Sequence, residues 1–149
     1  MIEINNTLRE RVRLHEGYRD HVYLDSLGKK TVGIGHLCVE DFWEEDKKYD
    51  EDFLLDIFEQ DLVEACNHAE QLIEERCPDN SLPLDIQHVI VEMVYQLGIG
   101  GVGKFNNMWT ALNDADYYTA SQEMKDSRWW HQTKKRCESL SKIVESFAE

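Results

Sequence analysis

Residues 16–36 read Glu-Gly-Tyr-Arg-Asp-His-Val-Tyr-Leu-Asp-Ser-Leu-Gly-Lys-Lys-Thr-Val-Gly-Ile-Gly-His. Glu16 closes a short helix and Gly17 ends it, because a residue without Cβ is favoured just beyond a helix C-terminus. Residues 21–25 and 29–34 are rich in β-branched and aromatic side chains around Ser26-Leu27-Gly28, which predicts a β-hairpin. That hairpin carries Asp25 at its turn and Thr31 on its second strand, with Glu16 just before it. Two carboxylates flanking a sugar are the equipment of glycoside hydrolysis: one gives a proton, the other handles water or the sugar. A hydroxyl beside the second carboxylate can hold a water in line. Taken singly, Glu16 is a helix-end carboxylate in a salt bridge and Asp25 a turn residue; the combination with Thr31 is what points to chemistry.

Working outward, Thr7-x-x-Glu10 forms a capping box, and Leu8, Val12 and Leu14 make the first helix amphipathic. The acidic stretch after Cys38 reads as loop with a third short strand near Tyr49. Asp50 then caps a long helix in which Leu54, Phe58, Leu62, Cys66, Ala69 and Ile73 recur at steps of three and four until Pro78. Such a helix spans about 40 Å at ~1.5 Å per residue, more than one small lobe needs, and is expected to bridge two. After Pro83 the reading is helical: a central core helix over 85–97, apolar on most sides and ended by Gly98, then helices near 106–112, 115–125 and 134–147. All strand signal precedes residue 50, which predicts an α+β architecture.

The chain has 149 residues with 42% apolar and 31% charged content, a globular composition able to bury roughly 70% of its unfolded surface. One domain over 1–149 is expected, with an N-lobe over about 1–60, a joining helix over about 50–77 and a C-lobe over about 78–149. No apolar run approaches the ~20 residues of a membrane helix, and residues 1–6 resemble no secretory signal. A cytoplasmic start and no stable membrane association are therefore expected. Cys38, Cys66, Cys77 and Cys137 are scattered without a CxxC pair and are expected as buried, reduced thiols, with no zinc site. The net charge of −14 argues against nucleic acid as partner. It is uneven: residues 39–61 carry a net of −9, whereas residues 125–142 carry +4, so contact with an anionic polymer belongs to the latter.

Other motifs fail. Gly98-Ile99-Gly100-Gly101-Val102-Gly103 matches GxGxxG but follows a helix with no βαβ unit, and is expected as a flexible helix-to-helix turn. His15-Glu16 begins like HExxH, yet the fifth residue is Arg19, and no GxSxG elbow exists.

The Glu16, Asp25 and Thr31 spacing with the following Gly33-Ile34-Gly35-His36 resembles the T-even phage lysozymes, glycoside hydrolase family twenty-four. The resemblance extends to Phe58-Glu59-Gln60-Asp61-Leu62, to Met93-Val94-Tyr95-Gln96-Leu97-Gly98 and to Ser127-Arg128-Trp129-Trp130-His131-Gln132-Thr133. It implies a lysozyme-like two-lobe fold whose cleft binds peptidoglycan glycan strands. It also implies an endolysin: a muramidase cutting the β-1,4 bond between N-acetylmuramic acid and N-acetylglucosamine with inversion, monomeric, without metal or organic cofactor. Such an enzyme acts from the host cytoplasm and reaches the wall after holin-type permeabilisation. Glu16 is then the general acid, Asp25 activates water and Thr31 holds it. Support falls to Arg136 paired with Glu16, to His36 paired with Asp61, to Gln96 meeting Trp129, and to Arg128 and Thr133. Glu123 stands where the family has an asparagine. The competing expectation is an inert peptidoglycan-binding module of a phage particle, against which the complete Glu16, Asp25 and Thr31 set weighs.

Overall fold

The computed structural model describes residues 1–149. Seven helices accompany one small antiparallel sheet, confirming the α+β class. The chain divides into two compact units, Ile4–Glu64 and Met1–Glu3 with Ala65–Glu149. No helix is long and apolar enough to cross a membrane.

The Ile4–Glu64 unit begins with α1, Asn6–Glu16, whose cap is Asn5 and not Thr7: the Asn5 side chain accepts from the Leu8 amide at 2.9 Å. The capping-box reading fails because asparagine two residues earlier satisfies the same orphan donors. Leu8 and Val12 are fully buried, but Leu14 is 79% exposed, so the apolar face is narrower than the sequence suggests. Strands β1, Arg19–Leu24, and β2, Lys30–Gly33, form the expected hairpin. The third strand is β3, His36–Leu37, pairing with β2, and not a strand near Tyr49. Gly33 and Gly35 hold φ of +63° and +69°, a left-handed turn that brings the chain straight back along β2. Tyr49 instead joins an aromatic group with Trp43 and Phe53, and its amide donates to the Asp20 carbonyl.

Helix α2, Glu51–Arg76, has the predicted length; the Leu54 amide donates to the Asp50 carbonyl, so the helix starts where expected. Its first half belongs to the Ile4–Glu64 unit, where Leu54, Phe58 and Leu62 join Val32 and Ile34 in the core. Leu54 lies under Gly33, whose missing side chain leaves 3.5 Å to the Leu54 Cδ2 atom from where a Cβ would stand.

In the other unit α3, Leu84–Gly103, carries the central apolar run Ile86, Val89, Ile90, Val91, Met93 and Val94, all buried. Gly98, at φ +78° and ψ 162°, breaks it as expected, but residues 99–103 then resume helix, so the glycine-rich stretch is not an open turn. Helices α4, Asn106–Asn113, and α5, Tyr117–Lys125, follow; α5 starts two residues later than predicted because Ala115 takes a positive φ of 55° and Asp116 caps Thr119. A short helix unforeseen in the sequence, α6, Arg128–Gln132, is capped by Ser127. The last, α7, Lys134–Glu145, packs on α5, α3 and α6. Cys66, Cys77 and Cys137 are buried free thiols, but Cys38 is only partly covered.

Candidate active site

Within the Ile4–Glu64 unit, Glu16 is the last residue of α1, and the Gly17 amide closes the helix onto the Arg13 carbonyl at 2.9 Å. Gly17 then turns at φ +74°, leaving Glu16 half-buried at the mouth of a cavity of about 460 Å³ that Tyr18, Arg19 and Tyr23 also line. Gly35 backs onto the Glu16 carboxylate so closely that a Cβ there would stand 2.5 Å from Oε1.

Asp25 sits at the hairpin turn. Its Oδ1 accepts from the amides of Leu27 at 2.9 Å and Lys29 at 2.8 Å, and its own amide donates to the Lys29 carbonyl. This aspartate turn fixes the carboxylate through one oxygen and leaves the other for chemistry. Thr31 is 3% exposed and lies opposite Tyr23 in the register. Its hydroxyl donates to the Lys29 carbonyl at 3.0 Å, so toward any third group it acts as an acceptor.

His36 pairs with Asp61 as expected, Nδ1 to Oδ2 at 2.8 Å. The sequence reading missed the other half: Nε2 meets Glu40 Oε1 at 2.8 Å, and Trp43 Nε1 donates to the same oxygen at 2.9 Å. The hydrogen bond to Asp61 drives the imidazole pKa up to about 9 against the opposing effect of burial, with Glu40 adding to the rise. Burial pushes the Glu40 carboxyl up, but hydrogen bonds from His36 and Trp43 outweigh it and hold it below its ordinary value. Nothing local marks Glu40 within a run of acids; only its contact with His36 singles it out.

In the Ala65–Glu149 unit, Trp129 Nε1 donates to Gln96 Oε1 at 2.9 Å, and Gln96 Nε2 donates to Thr133 Oγ1 at 3.0 Å. Three residues singled out from sequence thus form one hydrogen-bonded chain. Phe105 meets the Trp129 ring edge-on at 6.1 Å. Arg136, 7% exposed, donates from Nε to Glu92 Oε2 at 3.0 Å, and Glu92 is fully buried. The sequence reading did not single out Glu92; a lone acid amid an apolar helix was the signal that could have found it, since a buried carboxylate requires a partner. Arg128 stands exposed beside a cavity of about 560 Å³, shared with Lys104, Phe105, Glu123 and Trp129. No group of three or more His, Cys, Asp or Glu is placed to hold a metal ion.

A helix-end carboxylate, an aspartate locked at a hairpin turn and a threonine buried on the next strand now stand in one unit, with the order and spacing that the sequence had suggested. Over residues 13–143 the chain matches the family model described as phage lysozyme. The chain belongs to the phage lysozyme family. That makes it a lysozyme by class, a glycoside hydrolase. It is 30% identical to the pre-baseplate central spike protein Gp5 of Enterobacteria phage T4, over 94% of this chain but 28% of that protein. The chain therefore spans little more than a quarter of that relative's length. It is 25% and 24% identical to probable T4-type lysozymes 2 and 1 of Dictyostelium discoideum, each over 95% of both chains.

Proposed function

We propose that this phage lysozyme family protein is a muramidase that hydrolyses the β-1,4 bond between N-acetylmuramic acid and N-acetylglucosamine in peptidoglycan, with inversion. One observation carries the reading: Glu16 is held against Gly35 at the end of α1, in the same unit as Asp25, whose carboxylate the turn amides anchor, and Thr31. Glu16 gives its proton to the bridging oxygen as the bond from that oxygen to the anomeric carbon breaks. A water attacks the carbon from the opposite face and loses a proton to Asp25. Thr31 directs that water. Because its own hydroxyl proton is engaged by the Lys29 carbonyl, Thr31 accepts one water hydrogen while Asp25 accepts the other, which leaves a water lone pair for the carbon. The two hydrogen-bonded groups, Asp25 and Thr31, hold water rather than sugar against the carboxylate, and this is the argument for inversion.

Arg128, with Lys104 beside the same cavity, supplies positive charge for the wall's carboxylates. The Gln96, Trp129 and Thr133 chain stiffens that surface. In this reading the protein works as a monomer at host lysis, leaving the cytoplasm through a permeabilised membrane. The relation to a phage spike protein favours a second reading, a wall-binding module of the phage particle. Incubation with purified peptidoglycan separates the two. Hydrolysis releases new reducing ends in proportion to enzyme and time, whereas a binder sediments with the wall and releases none.

A further inference from the structure

One side chain that lines the Glu16 cavity, Tyr23, has no task in the proposed reaction although it faces the residues that carry it. Tyr23 lies on β1 directly opposite Thr31 on β2, and opposed residues of an antiparallel pair project to the same face. Asp25, two positions along the chain, continues that face, since side chains alternate with a period of two. Glu16 shares the cavity that Tyr23 lines. Tyr23 is thus flanked by all three residues assigned to the chemistry.

The ring is held from one side by the Arg19 guanidinium, 4.8 Å from its centroid. The side chain is only partly covered, so its hydroxyl can meet a ligand in the cavity. Burial keeps the phenol above its ordinary pKa, the Glu16 charge adds to this, Arg19 opposes it, and Asp25 and Cys38 contribute further. The hydroxyl therefore remains a proton donor throughout the neutral range. A hydroxyl beside an open cavity can exchange a water for a ligand oxygen without losing a hydrogen bond, and a sugar offers oxygens at every carbon.

We infer that Tyr23 contacts the substrate, its hydroxyl donating a hydrogen bond to a sugar oxygen beside the scissile bond, between the acid and the base. The inference rests on the reading of Glu16 and Asp25 given above.

Tyr23→Phe keeps the ring under Arg19 and removes only the donor. Initial rates of reducing-end release from soluble wall glycan oligomers, measured over a range of concentration and pH, test it. The expected result is a kcat about tenfold lower, the loss of one well-placed hydrogen bond at the transition state. KM should stay within about twofold, with melting temperature and both limbs of the pH profile unmoved. An active parent with a Tyr23→Phe kcat within about twofold of it would overturn the inference alone. So would a displaced pH limb, which would mean that Tyr23 tunes a carboxylate and does not touch the sugar. A loss tracked by a fall in melting temperature would mean that the hydroxyl serves only packing. A parent that releases no reducing ends would instead remove the underlying reading of the site.

Discussion

Gly35 presses its backbone against the carboxylate of Glu16: a Cβ on residue 35 would stand 2.5 Å from Glu16 Oε1 and 2.9 Å from its Cδ. The φ of +69° at Gly35 and the absence of a side chain are therefore both required, one by the turn into β3 and the other by the acid.

Gly35→Ala should injure activity more than stability. The positive φ costs an alanine about 1–2 kcal/mol, which for a chain of this size lowers the melting temperature by about 2–8 °C. The new methyl must also displace the Glu16 carboxylate. Misplacement of a reacting group by an ångström can cost about a hundredfold, so reducing-end release should fall by at least about tenfold at temperatures where the variant is fully folded.

The pair formed by His36 and Asp61 should stabilise the protein in a definite pH window. His36 has a folded pKa of about 9 against an ordinary 6.5, so its contribution is complete below about 6.5 and is lost as pH rises through 9. Glu40, on the other ring nitrogen, is held below its ordinary 4.5, so its contribution is present above that value and is lost as pH falls. The network is therefore strongest between about pH 4.5 and 6.5. Asp61→Asn should cost about 2–3 kcal/mol there and much less at pH 9.5. Denaturant melts at several pH values read this directly; a deficit independent of pH would contradict the coupling.

Gln96→Leu should leave the Trp129 indole N–H without its acceptor in a site where Trp129 is 2% exposed. A buried donor stripped of its partner costs about 1–3 kcal/mol. Thr133→Val removes only the far end of the chain and should cost about 1 kcal/mol or less. Urea unfolding of the two variants gives the comparison.

Much of this was legible because periodicity and punctuation agreed. The helix from Glu51 to Arg76 announced itself through Leu54, Phe58, Leu62, Cys66 and Ala69, and the hairpin through Asp25-Ser26-Leu27-Gly28. What escaped was set by contacts distant in sequence or by closely matched local alternatives. Asn5 outcompeted Thr7 as cap, and both are ordinary capping residues. Residues 99–103 reform helix although four of the six residues from Gly98 to Gly103 are glycines. Strand β3 exists because Gly33 and Gly35 fold the chain back, a backbone event that side-chain alternation over two residues does not signal. In the site, Glu16, Asp25 and Thr31 came from spacing, and His36 with Asp61 from family likeness. Glu40, Glu92 and the closeness of Gly35 to Glu16 emerged only from the folded coordinates.

Net charge makes a further expectation. At −14 the protein should repel an anionic wall at low ionic strength. The Debye length falls from about 30 Å at 0.01 M to about 10 Å at 0.1 M, which mutes the acidic residues 39–61 more than close contacts made by Arg128 and Lys134. Initial rates on purified wall should rise with salt up to about 0.2 M, and charge reversal at Lys134 and Lys135 should weaken wall binding while leaving kcat on soluble oligomers unaltered. A monotonic fall from the lowest salt would show that local attraction governs capture.

The most direct measurement is reducing-end release by Glu16→Gln beside the parent, on the same purified peptidoglycan, with both proteins shown folded by circular dichroism. General acid catalysis contributes about 10²–10⁴-fold, so the variant should lose at least about a hundredfold in rate while still sedimenting with the wall. A folded Glu16→Gln protein retaining a tenth of the parent rate or more would contradict Glu16 as the acid and, with it, the mechanism built on this site.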